Sequence, residues 1–145
     1  MSANLFRIAT CSAALAMTLA AVPSVRAETI SYKVALKGSD EVPPNTSSGQ
    51  GTADLTYDTQ SKQLTWKVSY SGLTGPATVA HFHGPAEAGK NAGIMIPIQN
   101  IATSPAEGSA TLTDAQATDL AAGRMYVNVH TAANPGGEIR GQVKK

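Results

Sequence analysis

The sequence predicts an all-β protein, an antiparallel immunoglobulin-like or Greek-key β-sandwich with one short helix. Three observations lead to this class. Apolar and polar residues alternate over much of the chain, as in strands that bury one face. Segments rich in Gly and Pro recur about every ten residues and indicate turns. Only one segment carries the start and stop signals of a helix.

The first three predicted strands show the clearest alternation. Thr29 to Leu36 places its large apolar residues on one face and Lys33 on the other, and Thr52 to Tyr57 and Gln63 to Tyr70 show the same alternation of apolar and polar residues. The short polar turn between the second and third strands predicts a hairpin. Residues 38–51 collect Gly, Pro, Ser and Asn, so we expect a loop or a sheet edge there.

The second half of the chain is expected to add five short strands, each bounded by Gly or Pro. They are Ala77 to His83, Ile94 to Gln99, Gly108 to Leu112, Met125 to Thr131 and Glu138 to Val143. The helix is expected at Thr113 to Ala122. Thr113 and Gln116 match a capping box, and Gly123 can end the helix in the left-handed conformation.

The N-terminal segment has the features of a secretory signal peptide. Arg7 precedes an apolar stretch from Ile8 to Val22, and Val25-Arg26-Ala27 resembles a cleavage site. The apolar stretch is too short to favour a permanent membrane span. We therefore expect residues 1–27 to be removed and residues 28–145 to form one domain in the periplasm or outside the cell.

Composition narrows the function classes. The chain has 145 residues, with 11 Lys and Arg against 10 Asp and Glu, and one cysteine. Removal of the leader would leave 118 residues with a charge of −1 and would remove Cys11. Disulfides, a cysteine nucleophile and thiolate metal sites are thereby excluded. The near-neutral charge argues against a nucleic-acid partner. No catalytic motif is recognisable, so we do not predict an enzyme.

The three histidines are the most informative residues. His81 and His83 lie two apart in a predicted strand, so their side chains point to the same side. His130 ends another strand, on the face that also carries Asn128. If these strands are neighbours, three imidazoles converge. Nitrogen donors without thiolate suit copper or zinc, with a further coordination position left for water. Asn128 is expected to orient one imidazole.

A structural interpretation of the histidines stays open. His83 precedes Gly84-Pro85 and His130 lies near a Pro-Gly-Gly turn, so both side chains could simply hydrogen-bond to loop backbones. The domain would then be a structural module, or one that binds another exported or envelope protein through residues 38–51 and 84–92.

Other candidate residues are assigned structural roles. Glu138 and Arg140 share a strand face and are expected to form an exposed ion pair. Trp66 follows the core period and is expected to be buried. Met95 and Met125 could lend a thioether to Cu(I), but methionine is more often a core filler.

Three blocks in the chain, taken in order, resemble the CHRD domain, which was first described in chordin and occurs widely in exported bacterial proteins. They are Gly38-Ser-Asp-Glu-Val-Pro-Pro44, Ala80-His-Phe-His-Gly-Pro85, and Tyr126-Val-Asn-Val-His-Thr131 followed by Pro135-Gly-Gly-Glu-Ile-Arg-Gly-Gln142. The resemblance spans Thr29 to Val143 and implies an immunoglobulin-like β-sandwich in a bacterial single-domain protein. The resemblance implies no activity. Together with the histidine pattern, it leads us to expect an exported CHRD domain that binds a transition metal, with copper favoured, through His81, His83 and His130.

Overall fold

The computed structural model describes residues 27–145, which form eight β-strands, one α-helix and a single 3-10 turn at Gly38–Asp40. Residues 1–26 lie outside the described residues, and they include Cys11 and all of the predicted leader except Ala27. The strands are β1 (Thr29–Lys37), β2 (Gln50–Asp58), β3 (Gln63–Ser71), β4 (Ala77–His83), β5 (Ile94–Ile98), β6 (Ala106–Thr111), β7 (Tyr126–Thr131) and β8 (Ile139–Gln142), and the helix is α1 (Asp114–Ala121).

All strands pair antiparallel in one sheet, in the order β5-β4-β7-β8-β1-β2-β3-β6. The edge strands β5 and β6 contact each other, so the sheet curls until it is nearly closed. The predicted all-β antiparallel class with one short helix is confirmed. The predicted hairpin is also confirmed, because β2 pairs with β3 and Leu55 lies opposite Trp66.

The core fills the inside of the curled sheet. Tyr32, Val34 and Leu36 of β1 are buried, whereas the residues between them are exposed, as the alternation predicts. Trp66 of β3 packs edge-to-face on Phe82 of β4, with ring centroids 5.2 Å apart. Trp66 is therefore a core residue, as predicted.

The helix begins and ends where its sequence signals predict. The Thr113 side chain accepts from the Gln116 backbone N–H at 3.2 Å, and the Gln116 side chain accepts from the Thr113 N–H at 2.9 Å. Gly123 follows in the left-handed conformation, with φ of 70°. In the described part of the chain no helix could cross a bilayer, since α1 has only eight residues.

Around β7 the sheet is covered on both faces. Val127 and Val129 point into the core, but Asn128 and His130, on the opposite face, are also buried. Loops cover this outer face: Ala92 of the loop between β4 and β5 bonds to the Tyr126 hydroxyl, and the loop after β7 contacts His130. Buried polar side chains therefore collect in a second layer outside the sheet.

Candidate metal centre

β4 and β7 are adjacent, and this pairing brings the histidines to one place. Directly opposed residues of an antiparallel pair point to the same side of the sheet. The pairs on the outer face are Val79 with His130, His81 with Asn128, and His83 with Tyr126. The three imidazoles therefore occupy neighbouring positions on one surface, as expected for the case in which these two strands are neighbours.

The nitrogen donors lie close enough for one ion. One ligand atom from each of His81, His83 and His130 lies within 4.8 Å of the other two. A metal ion placed between three such atoms would be at most about 2.8 Å from each of them. This distance is the circumradius of an equilateral triangle with sides of 4.8 Å. Metal–imidazole bonds measure roughly 2.0–2.1 Å, so side-chain shifts below about 1 Å would complete ligation.

Backbone carbonyls hold two of the imidazoles. Nδ1 of His83 donates to the Ala92 carbonyl at 3.0 Å, and Nδ1 of His130 donates to the Pro135 carbonyl at 2.9 Å. Because Nδ1 of His83 carries the proton, Nε2 of His83 keeps its lone pair. Within residues 27–145, Nε2 of His83 is buried without a hydrogen-bond partner. A donor nitrogen held in this way from its far side is typical of metal-binding histidines.

His81 differs from the other two because its ring makes no hydrogen bond to any described residue. Its Nδ1 is nevertheless buried. The rings of His83 and His130 lie 5.4 and 5.2 Å away, measured between centroids. Burial, together with these two imidazoles, lowers the pKa of His81. Burial also lowers the pKa of His83, against the opposing effect of its bond to Ala92. Both rings thus favour the neutral form that binds metals.

Asn128 lies between the histidines and a buried acid. Its Oδ1 is 3.0 Å from Nε2 of His130, and its Nδ2 lies on the side of Gly137 and Glu41. Burial raises the pKa of Glu41 to about 7, although Arg140, the Val42 backbone and Asn128 act to lower it. The orienting role expected of Asn128 stays a prediction, and the structure adds Glu41 beside it.

A three-layer stack adjoins the site. The His83 and Tyr126 rings are parallel within 2°, with centroids 4.8 Å apart. On the other side of Tyr126, the Arg140 guanidinium carbon lies 3.4 Å from the ring centroid. Arg140 also donates to the Asn91 side chain at 2.9 Å and to the Lys90 carbonyl at 2.6 Å. The loop that holds His83 is therefore tied to this stack.

These contacts correct the expected ion pair between Glu138 and Arg140. Both residues are buried, with exposures of 0% and 2%, and they bind different groups. Glu138 accepts from the hydroxyls of Ser47, Thr74 and Thr131 and from the Thr74 N–H, at 2.6 to 2.7 Å. Burial acts to raise the pKa of Glu138, but these hydrogen bonds hold it at about 2. The prediction was wrong because strand alternation cannot reveal that loops cover this face.

The model of the CHRD domain matches residues 32–143, most of the chain. The chain belongs to the CHRD domain family. The match includes all three histidines and the residues packed around them. No curated protein and no solved structure shows significant similarity to this chain.

Two further features of this CHRD domain bear on the site. Met125 lies in the hydrophobic core and Met95 packs against it, so their expected role as core fillers is supported. A cavity of about 470 Å³ is lined by Arg140, Gln142 and loop residues, but by none of the histidines. Arg140 thus contacts both this cavity and the Tyr126 ring.

Sequence reasoning did not find Glu41, Tyr126 and Arg140 as parts of this site. All three belong to the CHRD blocks quoted above, but their types suggested a turn, a strand residue and a surface charge. The available signal was their position: Tyr126 lies two residues from Asn128 along one strand face, and Arg140 pairs with Asn128 across β7 and β8.

Proposed function

We propose that this chain is an exported CHRD domain that binds one transition-metal ion through His81, His83 and His130. Copper is the favoured ion. The observation that carries the proposal is the convergence of three imidazole donors within 4.8 Å of one another. The N-terminal segment supports export, since it has the charge and apolar pattern of a secretory leader.

The environment of His81 supports metal binding rather than a purely structural role for the three histidines. His83 and His130 each hold a loop through a backbone carbonyl, so a structural role would account for those two. It does not account for His81, whose Nδ1 is buried and makes no hydrogen bond within the described chain. A buried polar nitrogen without a partner costs free energy, which a bound cation would offset.

The donor set supports copper or zinc. Three neutral imidazoles with no thiolate suit both ions, and copper binds nitrogen ligands more tightly in the series of divalent metals. Three protein ligands leave a coordination position for water or another small ligand. We propose a binding protein because the site contains no recognised catalytic motif.

The decisive experiment compares His81→Ala with Gln99→Ala, a neighbouring exposed polar position. We expect the wild type and Gln99→Ala to bind one equivalent of copper after expression in an export compartment. His81→Ala should lose more than about 100-fold in affinity, since even the loss of groups that orient ligands costs 10–100-fold. Plasma mass spectrometry and chelator competition measure stoichiometry and affinity.

Absence of copper and zinc from the wild type would contradict the metal proposal. The alternative is then a structural module, or one that binds another exported or envelope protein through its loops. That alternative predicts that the His83→Ala and His130→Ala variants lose thermal stability, because their loop contacts are removed, whereas His81→Ala keeps the wild-type melting temperature.

A further inference from the structure

We infer that the three-histidine site selects Cu(I) over Cu(II) and zinc, and that Arg140 and Glu41 tune this selection in opposite directions. The inference rests on the proposed function, because it requires the three histidines to bind copper.

The ligands contribute no negative charge. Neutral imidazoles supply the donors, and the hydrogen bonds that hold His83 and His130 end on backbone carbonyls rather than on carboxylates. A bound ion therefore brings its full charge into a partly buried setting. Because the cost of burying charge rises steeply with its magnitude, a monovalent ion is favoured over a divalent one.

Arg140 adds a positive charge behind the site. Its guanidinium carbon lies 3.4 Å from the Tyr126 centroid, which lies 4.8 Å from the His83 centroid. The guanidinium is therefore within about 8 Å of the His83 ring. At a separation of about 10 Å and an effective dielectric constant of about 20, one unit of charge changes a binding constant roughly tenfold. Arg140 therefore weakens Cu(II) binding more than Cu(I) binding.

Two exposed apolar side chains border the site. Among residues 27–145, Val79 and Ile94 are the large hydrophobic side chains that are exposed, at 45% and 58%. They lie opposite His130 and His83 in the sheet, so both flank the histidines on the outer face. An apolar border limits water around a metal, and divalent ions depend on water to complete their coordination. Three-coordinate Cu(I) has no such requirement.

Glu41 provides the opposing charge. Its carboxyl lies beside Asn128 and within electrostatic range of Arg140, and it is almost fully buried. When ionised, it lowers the penalty for a divalent ion. Replacement of Arg140 and replacement of Glu41 should therefore shift the Cu(I) to Cu(II) preference in opposite directions.

The first test uses the wild-type protein. Dissociation constants are measured for Cu(I), under anaerobic conditions with a chromophoric Cu(I) chelator, and for Cu(II) and Zn(II) with their own competing chelators. We expect Cu(I) to bind at least about tenfold more tightly than Cu(II) and Zn(II). Equal or tighter binding of either divalent ion would overturn the inference while leaving the proposed function intact. If no metal binds, the proposed function itself fails.

The second test compares Arg140→Met, Arg140→Lys and Glu41→Gln. Arg140→Met should shift the affinity ratio roughly tenfold toward Cu(II), which lowers the reduction potential of bound copper by about 59 mV. Arg140→Lys should stay near the wild type, and Glu41→Gln should shift the ratio toward Cu(I). Damage to the fold would instead weaken binding of both oxidation states together. If the ratio is unchanged, or if Arg140→Met and Glu41→Gln move it in the same direction, the inference is overturned.

Discussion

Glu138 shows how a buried carboxylate is stabilised without a cation. Ser47, Thr74 and Thr131 donate four hydrogen bonds to its two oxygens. These donors come from the loop before β2, the loop before β4 and the end of β7. The side chain therefore joins three distant segments at one end of the sheet, beside the loop that holds His130.

We predict that Glu138→Gln lowers the free energy of unfolding by about 2 kcal/mol at neutral pH. An amide accepts fewer hydrogen bonds than a carboxylate, and hydrogen bonds to charged groups contribute about 1.5–3 kcal/mol. Denaturant unfolding measures the loss. Glu107→Gln is the control, because Glu107 only forms an exposed ion pair with Lys67 and should change stability by less than about 1 kcal/mol. Equal effects of the two variants would contradict the role of Glu138.

The same residue predicts a dependence of stability on pH. Its pKa falls from an ordinary 4.5 to about 2 on folding. The native state therefore binds fewer protons than the unfolded state between these values. The stabilisation is complete above about pH 4.5 and is lost as the pH falls toward 2. We expect the wild type to lose stability over this range and Glu138→Gln to lose less of it. Parallel pH profiles for the two proteins would contradict this assignment.

Among the elements, β8 is closely constrained by its neighbours. It lies between β7 and β1, and Lys37 of β1 pairs with Arg140. At Gly141 a Cβ atom would collide with the Ala35 carbonyl oxygen and with the Val34 side chain. The close approach of two backbones thus requires glycine at this position.

We predict that Gly141→Ala destabilises the domain by about 3 kcal/mol, since an added methyl group must push β8 away from β1. Gly136→Ala is the matched control, because a Cβ there meets no atom within 4 Å. Thermal and denaturant unfolding measure both. A loss of less than about 1 kcal/mol in Gly141→Ala would indicate that the two strands separate easily.

For the molecule as a whole, we expect the removal of residues 1–27 to define the N-terminus of the mature chain. Two described features lie close to the expected cleavage site: β1 starts at Thr29, and the Glu28 N–H donates to the Thr59 hydroxyl at 3.0 Å. We predict that expression with the native N-terminus in a bacterium yields a mature protein starting at Glu28 in the export compartment. Intact-mass spectrometry and N-terminal sequencing measure this. Full-length protein in the cytoplasmic fraction only would contradict it.

Local sequence patterns alone predict the all-β class, the helix with its caps and the approximate position of each strand. These features depend on alternation, turn residues and capping, all of which involve residues close together in the chain. The sequence also identifies the three histidines and places them on defined strand faces. Strand boundaries moved by one or two residues, as for β6, which begins at Ala106 rather than Gly108.

The pairing of β4 with β7, and with it the convergence of the imidazoles, becomes visible only in the folded sheet. Strand order depends on how the whole sheet curls, and residues far apart in the chain carry no local signal of it. The covering of the outer face by loops also depends on the tertiary structure. Arg140, which was expected to be a surface charge, is buried against the Tyr126 ring. Burial is set by what packs above a face, and alternation along one strand reports only the direction of each side chain.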